Sequence, residues 1–382
     1  MYWTAKTSFS FPTNIRFGVG VIEELPEYLQ DHDLKNPLVV TDPNVAELDF
    51  FKTILSNLKS KGFGVTVFKE MHKNPVKTDV LIGGDAYKAG DCDSIIGIGG
   101  GVAMDVARAI TLRINHRRDL FDYDDLIGGD KHVTEEVPHF ITVPTTSGTG
   151  SEVGRSAIIS EDDSKKKRIL FHPKLMAKQV FADPELTEEL PPFITAATGM
   201  DALTHNMEAY LAKGFNPVCD GIAIEGIRMI CDALEDAVNR PNPEARSKMM
   251  LGSLMGAIAF QKGLGIVHSL AHPLSSLLDI HHGLANAIMI PYGLEFNISG
   301  QEARFAEMAH AMGLNEKRGS TVIEKLHIMN AKCGMPSKLS EQGVGREHIE
   351  ELADLAYADF CHPSNPRPVS RSDFKLIYLD AL

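Results

Sequence analysis

The segment Ser94-Ile95-Ile96-Gly97-Ile98-Gly99-Gly100-Gly101-Val102-Ala103-Met104-Asp105 decides the fold. Ser94 to Ile98 reads as a buried strand, a short β-branched run stopped by glycine. From Val102 to Ile114 apolar residues fall at positions 102, 103, 106, 107 and 110, the spacing of a helix that buries one face. A strand that turns through glycines into a helix is the start of a βα unit, and the unit repeats on either side. Leu38-Val39-Val40-Thr41, Val65-Thr66-Val67-Phe68 and Phe140-Ile141-Thr142-Val143 read as further strands. The stretch after Pro43 to about Lys61, and that from Thr78 to Ala89, read as helices. This alternation predicts a parallel sheet wound on both faces, with ligands at the carboxyl ends of its strands.

After Leu190-Pro191-Pro192 the pattern changes and helical periodicity takes over. Helices are expected near 193–212, 217–238, 243–261, 264–278, 283–295, 301–313, 319–333, 346–358 and 371–380. The chain is therefore divided into an α/β dinucleotide-binding domain, residues 1–190, and an all-helical catalytic domain, residues 191–382, with the active site expected in the cleft between them. With 382 residues, 43% of them hydrophobic and 23% charged, the chain is long and apolar enough for two packed cores. A formal net charge of −13 argues against a nucleic-acid partner. No apolar run reaches membrane-spanning length, and the opening Met1-Tyr2-Trp3-Thr4-Ala5-Lys6 lacks the form of a signal peptide. Five scattered cysteines form no C-x-x-C pair and read as free thiols, so a cytoplasmic protein without a membrane partner is expected.

Two loops suit phosphate. Gly99 to Gly101 open a helix whose N-terminal N–H groups and dipole favour an anion. The G-x-G-x-x-G fingerprint is not met: counted from Gly97 the sixth position is Val102, and from Gly99 it is Met104. Alone, the triplet is equally consistent with a tight turn that binds nothing. The second loop, Pro144-Thr145-Thr146-Ser147-Gly148-Thr149-Gly150-Ser151-Glu152, also follows a strand and is dense in hydroxyls and glycine. Asp42 closes the first predicted strand, where a carboxylate can accept from a ribose and repel a 2′-phosphate; turn formation is its plainer role. Together the three features favour NAD.

The chemistry-bearing residues gather between 199 and 283. Asp201 and His205 are four apart, as are His268 and His272, so each pair shares a helix face. His281 and His282 follow. A single histidine is more often structural than ligating. Two i,i+4 pairs shift that balance toward a metal site, with Fe(II), Zn(II), Mn(II) and Ni(II) all compatible.

On these residues the chain resembles the iron-containing (group III) alcohol dehydrogenases over nearly its whole length. The matching elements are Gly99-Gly100-Gly101-x-x-x-Asp105, Pro144-Thr145-Thr146-x-Gly148-Thr149-Gly150-Ser151-Glu152, Gly199-Met200-Asp201-Ala202-Leu203-Thr204-His205, His268-x-x-x-His272-Pro273-Leu274, His282-Gly283-x-Ala285-Asn286-Ala287 and Asn365-Pro366-Arg367-Pro368. The resemblance implies a Rossmann-like N-terminal domain, a helical C-terminal domain and a divalent metal, Fe2+ or Zn2+, held by Asp201, His205, His268 and His282. It implies a proton-transfer role for His272. It also implies NAD contacts from Asp42, Asn74, Gly99, Gly100, Gly101, Val102, Asp105, Thr145, Thr146, Thr149, Lys167 and Leu186, and a homodimer. Two positions depart from the pattern: Val102 replaces a serine, and Arg108 a lysine, which weighs on the affinity for the cofactor.

The implied reaction is oxidation of a primary alcohol to an aldehyde, with His272 relaying the alcohol proton. Overall likeness, without a diagnostic motif, also admits the branch that oxidises the terminal hydroxyl of the sugar acid 3-deoxy-octulosonate in carbohydrate metabolism. The rival readings are a dehydroquinate synthase-like or glycerol dehydrogenase-like enzyme of the same superfamily and, from another class, a nucleotide- or metal-binding protein without catalysis.

Overall fold

Residues 13–382 are described by a computed structural model. They form two compact units. One takes residues 13–146 and Ser151–Thr187, the other Ser147–Gly150 and Glu188–Leu382. The division falls at 187/188 instead of 190, and the tetrapeptide Ser147–Gly150 groups with the helical unit.

The α/β unit is built on strands β1 (Asn14–Phe17), β2 (Pro37–Val40), β3 (Thr66–Phe68), β4 (Ser94–Gly99), β5 (His139–Pro144), β6 (Ser156–Ser160), β7 (Lys167–Phe171) and β8 (Gln179–Ala182). Six of them pair in parallel in the order β1-β8-β5-β4-β2-β3, while β6 and β7 form a separate antiparallel pair. Helices α1 (Leu25–Asp31), α2 (Asp49–Ser60), α3 (Lys77–Ala89) and α4 (Gly101–Asn115) cover the sheet. Side-chain alternation sorts the core onto two faces. Leu38, Val40, Ile95 and Phe140 pack with Val80 of α3 and Val106 and Ile110 of α4. Val39, Ile96, Ile98, Ile141 and Val143 pack with Leu25 and Leu29 of α1 and with Phe51, Ile54 and Leu58 of α2. Strands covered on both sides read as continuous apolar runs, as β2 and β4 do.

The helical unit holds α5 (Pro192–Leu211), α6 (Pro217–Asn239), α7 (Pro243–Ala259), α8 (Ile266–Leu278), α9 (His282–Asn297), α10 (Glu302–Ala311), α11 (Gly319–Lys332), α12 (Ile349–Tyr357) and α13 (Arg371–Ala381). Proline in the first turn of α5, α6 and α7 fixes their starts. Nearly every residue of α5 from Thr195 onward is buried, because it packs against α6, α7 and α9. A helix apolar on all sides is a central one, and the few polar residues it carries are held there for a reason. No single helix among the described residues is long and apolar enough to cross a membrane.

Candidate metal centre

Helix α5 places Asp201, His205 and Glu208 at i, i+4 and i+7, so all three project from one side. Helix α8 supplies His268 and His272, and α9 begins at His282. The close approach of α9 to α5 depends on Gly283, where a Cβ would stand 2.3 Å from the carbonyl oxygen of Ala197.

Three imidazoles converge on one carboxylate oxygen. The Nε2 atoms of His205, His268 and His282 lie 3.9, 3.8 and 3.4 Å from Asp201 Oδ1. Asp201, His205 and His268 keep all their ligand atoms within 4.8 Å of one another, and all three residues are buried. Four ligands at about 2.1 Å from a tetrahedral ion stand about 3.4 Å apart, so the spacing suits one small divalent cation.

The protonation states agree. Burial pushes the pKa of His268 well below its ordinary value, and the neighbouring His205 and His282 push it further. Burial likewise lowers His205, against the pull of Asp201. Burial alone would raise the Asp201 carboxyl, but His205, His282 and His268 outweigh it and hold it well below the usual carboxylate range. Neutral imidazoles and an ionised carboxylate are the forms that bind a metal. The side-chain amide of Asn286 donates to Asp201 Oδ1 at 2.7 Å and lies 3.2 Å from His282 Nε2. His282 thus faces Asp201, while His281 stands at the N-cap of α9.

Sequence reasoning missed Glu208. Its carboxylate accepts from His268 Nδ1 at 2.6 Å and from the backbone N–H groups of Val267 at 2.6 Å and His268 at 3.3 Å. It caps the N-terminus of α8 and holds His268 in the tautomer that leaves Nε2 bare. Burial pushes its pKa up to about 7, against those backbone hydrogen bonds. Asn365, in the matched tail, accepts from Ile266 N–H at 3.2 Å and exchanges hydrogen bonds with Asn297, which ties the start of α8 to the end of α9.

In the α/β unit, Asp42, the glycine turn and Thr145 meet at the carboxyl ends of the neighbouring strands β2, β4 and β5. Gly99 has φ +149°, and a side chain there would meet Ala103 Cβ at 2.7 Å. Thr145 N–H donates to the Gly99 carbonyl at 3.0 Å, and Thr146 lies against Gly100. Gly100 caps α4, so the N–H groups of Gly101 and Val102 stand among the unpaired donors of a helix start. Asp42 Oδ1 accepts from Asn44 and Val45 N–H at 2.9 and 3.1 Å. The β2/β4 boundary is where the strand order reverses, the position at which open α/β sheets bind ligands.

Of the other expected nucleotide contacts, Asn74 and Leu186 follow β3 and β8, so they too come after the carboxyl ends of strands in the same parallel sheet. Asn74 is exposed on the loop between β3 and α3, and Lys167 is exposed at the start of β7, outside the parallel sheet. Leu186 is buried in the turn after β8, and Thr149 belongs to the tetrapeptide grouped with the helical unit. Asp105 departs from expectation. Its carboxylate accepts from Ser151 Oγ at 2.9 Å and Ile158 N–H at 3.1 Å and pairs with Arg108 at 3.3 Å, so both oxygens are spent on tying α4 to the loop and hairpin that follow β5. Arg108 is fully buried and also reaches Ser156 O at 2.7 Å, Leu175 O at 3.2 Å, Ser151 Oγ at 3.0 Å and the Ser151 carbonyl. The fork of a guanidinium meets these acceptors at once, which an ammonium could not. Its weight is structural.

The comparisons with known proteins agree with this geometry. Residues 12–184 match the family model "Iron-containing alcohol dehydrogenase", and residues 195–382 match "Fe-containing alcohol dehydrogenase family, C-terminal". The chain is 37% identical to the 4-hydroxybutyrate dehydrogenase of Cupriavidus necator, over 95% of this chain and 96% of that one. It is 35% identical to the NAD-dependent methanol dehydrogenase of Bacillus methanolicus, over 98% and 100%. A crystal structure of 1,3-propanediol oxidoreductase superposes with a TM-score of 0.94 at 32% identity, covering 98% of this chain and all, 100%, of that one.

Proposed function

The chain belongs to the iron-containing alcohol dehydrogenase family, oxidoreductases acting on CH–OH groups, and from that premise we propose that it oxidises a short primary alcohol to the aldehyde with NAD and one divalent ion, Fe2+ or Zn2+. The observation that carries this reading is the convergence of three imidazole nitrogens on one carboxylate oxygen. When bound, the ion supplies Lewis acidity toward the alcohol hydroxyl, and NAD supplies the hydride acceptor. Asp201, His205, His268 and His282 would hold the ion, with Glu208 fixing His268. The glycine turn and the start of α4 offer N–H groups to the pyrophosphate. Asp42 offers an acceptor to the adenosine ribose and discourages a 2′-phosphate. His272 is the base in this reading: it receives the alcohol proton at Nε2 and passes it to solvent.

The names of the relatives favour small aliphatic alcohols, and the sugar-acid substrate finds no support in them. A dehydrogenase releases NADH in step with product, unlike a lyase that uses NAD transiently or a protein that only binds. The test is an NADH-release screen on metal-reconstituted protein with methanol, 1-propanol, 1,3-propanediol, 4-hydroxybutyrate and 3-deoxy-octulosonate. Steady release with the short alcohols, faster with NAD than with NADP, is expected. Release with the sugar acid alone, or none with any alcohol, would refute the proposal.

A further inference from the structure

Beyond the metal ligands, the helical unit brings together His272, Asp359, Ser269 and Cys361. His272 Nδ1 lies 2.8 Å from Asp359 Oδ2. The other carboxylate oxygen, Oδ1, accepts from Ser269 Oγ at 2.6 Å and from Cys361 N–H at 2.9 Å. Ser269 Oγ in turn accepts from His362 N–H at 2.9 Å. Asp359, on the turn after α12, is thus anchored both to α8 and to its own turn.

The direction of the hydrogen bond follows from charge. Burial would raise the Asp359 carboxyl, but His272, Ser269 and the Cys361 N–H bring it down to about 2. An ionised carboxylate only accepts, so His272 Nδ1 must donate, and in the neutral imidazole Nε2 is the nitrogen that keeps its lone pair. The imidazole is also held in plane. It stacks on His282 at 5.4 Å with 17° between planes, and on Phe360 at 5.7 Å with 29°. It keeps 27% of its side-chain surface exposed. A metal triad of His272, Asp359 and Cys361 is the other use of these groups. Burial pushes the Cys361 thiol well above its ordinary pKa, with Asp359 adding to the effect, so it stays a thiol and makes a poor ligand. Helix α8 therefore carries two histidines one turn apart, each with Nδ1 tied to a carboxylate: His268 to the buried Glu208, and His272 to the partly buried Asp359.

We propose that Asp359 is a positioning residue for proton transfer: it fixes His272 in the Nδ1–H tautomer so that Nε2 takes the alcohol proton. This rests on the reading of His272 as the proton carrier. With bound NAD as the hydride acceptor, the alcohol's hydroxyl proton would pass to Nε2, and the imidazolium would face the Asp359 carboxylate until the proton leaves to solvent. The partnership resembles in its physics the carboxylate that orients the histidine of a catalytic triad.

The test is a double-mutant cycle on the metal-reconstituted enzyme with NAD and 1,3-propanediol. Asp359→Asn should lower kcat roughly 100-fold, within the range of general acid–base effects, with bound metal and the KM for NAD unchanged. In a His272→Ala background the same substitution should cost nothing more. Ser269→Ala, which removes one anchor but keeps the carboxylate, should give a smaller loss that is likewise absent without His272, and it stands in if the asparagine variant does not fold. In metal-free protein, 15N shifts of labelled histidine should report Nδ1–H at His272, and a mixed or reversed tautomer in Asp359→Asn. An equal loss in both backgrounds, or an unaltered tautomer, would overturn the assignment of Asp359. A His272→Ala enzyme as fast as wild type would instead overturn the reading of His272 itself.

Discussion

At Glu208 one carboxylate meets two demands, the free N–H groups at the start of α8 and the Nδ1 proton of His268. Glu208→Gln keeps the shape but replaces an acceptor that takes three donors with an amide that has one acceptor oxygen. It should weaken metal affinity about 10- to 100-fold, the usual cost of losing such a partner, while Asp201, His205 and His282 stay in place. Chelator competition on the purified protein measures this directly. Much at this scale was legible in the sequence, because Asp201, His205, His268 and His272 lie at helical spacing, and Glu208 falls on the same stripe three residues after His205. The repeat D-x-x-x-H-x-x-E was there to be read, but a glutamate in a helix is ordinarily taken for a solvated charge. Asp359 left no such trace: it lies 87 residues from its partner, and only the packing of the turn after α12 against α8 brings them together. Which of His281 and His282 ligates was open from spacing alone; in the folded protein it is His282 that lies beside Asp201 and Asn286.

Among the elements, the helices α2 to α13 and the strands β2 to β5 follow from periodicity, and their observed bounds fall close to the expected ones. Helix α1, β1, β8 and the β6–β7 pair escaped. The runs Asn14–Phe17 and Gln179–Ala182 include the polar residues Asn14, Arg16 and Gln179 and so lack the unbroken apolar stretch of β2, and β1 sits at the sheet edge. β6 and β7 are separated by a charged turn that draws attention away from their pairing. These missed elements explain Arg108 and Asp105, whose partners include the hairpin and the loop before it. In that loop Glu152 is buried, one of its carboxyl oxygens finds no hydrogen-bond partner among the described residues, and burial pushes its pKa up to about 7. A carboxyl whose pKa is raised on folding stabilises the fold fully below its unfolded value and loses that contribution as pH rises through the folded one. For Glu152 the window runs from about pH 4.5 to about pH 7, and the span corresponds to about 3 kcal/mol. Glu152→Gln mimics the protonated form. Denaturant unfolding should therefore show the variant gaining on wild type as pH rises through that window, and a difference that is flat with pH would contradict the burial argument.

The whole molecule divides its chemistry as its architecture divides. The α/β unit carries the glycine turn and Asp42 on the carboxyl edge of a parallel sheet, and the helical unit carries the Asp201, His205, His268 and His282 cluster and the pairs His268–Glu208 and His272–Asp359. That division was visible as the change of periodicity near Pro191-Pro192, although the tetrapeptide Ser147–Gly150 could not be assigned to the helical unit from composition. Relatives matched over almost the full length share the alcohol dehydrogenase chemistry. The central claim is that Asp201, His205, His268 and His282 hold the divalent ion on which alcohol oxidation depends. The most direct test is to reconstitute wild type and His268→Ala side by side and measure bound metal and NADH release on the same samples. The account predicts one ion per chain and steady NADH release for wild type, and loss of both together in the variant; a metal-free His268→Ala protein that still releases NADH at the wild-type rate would contradict it.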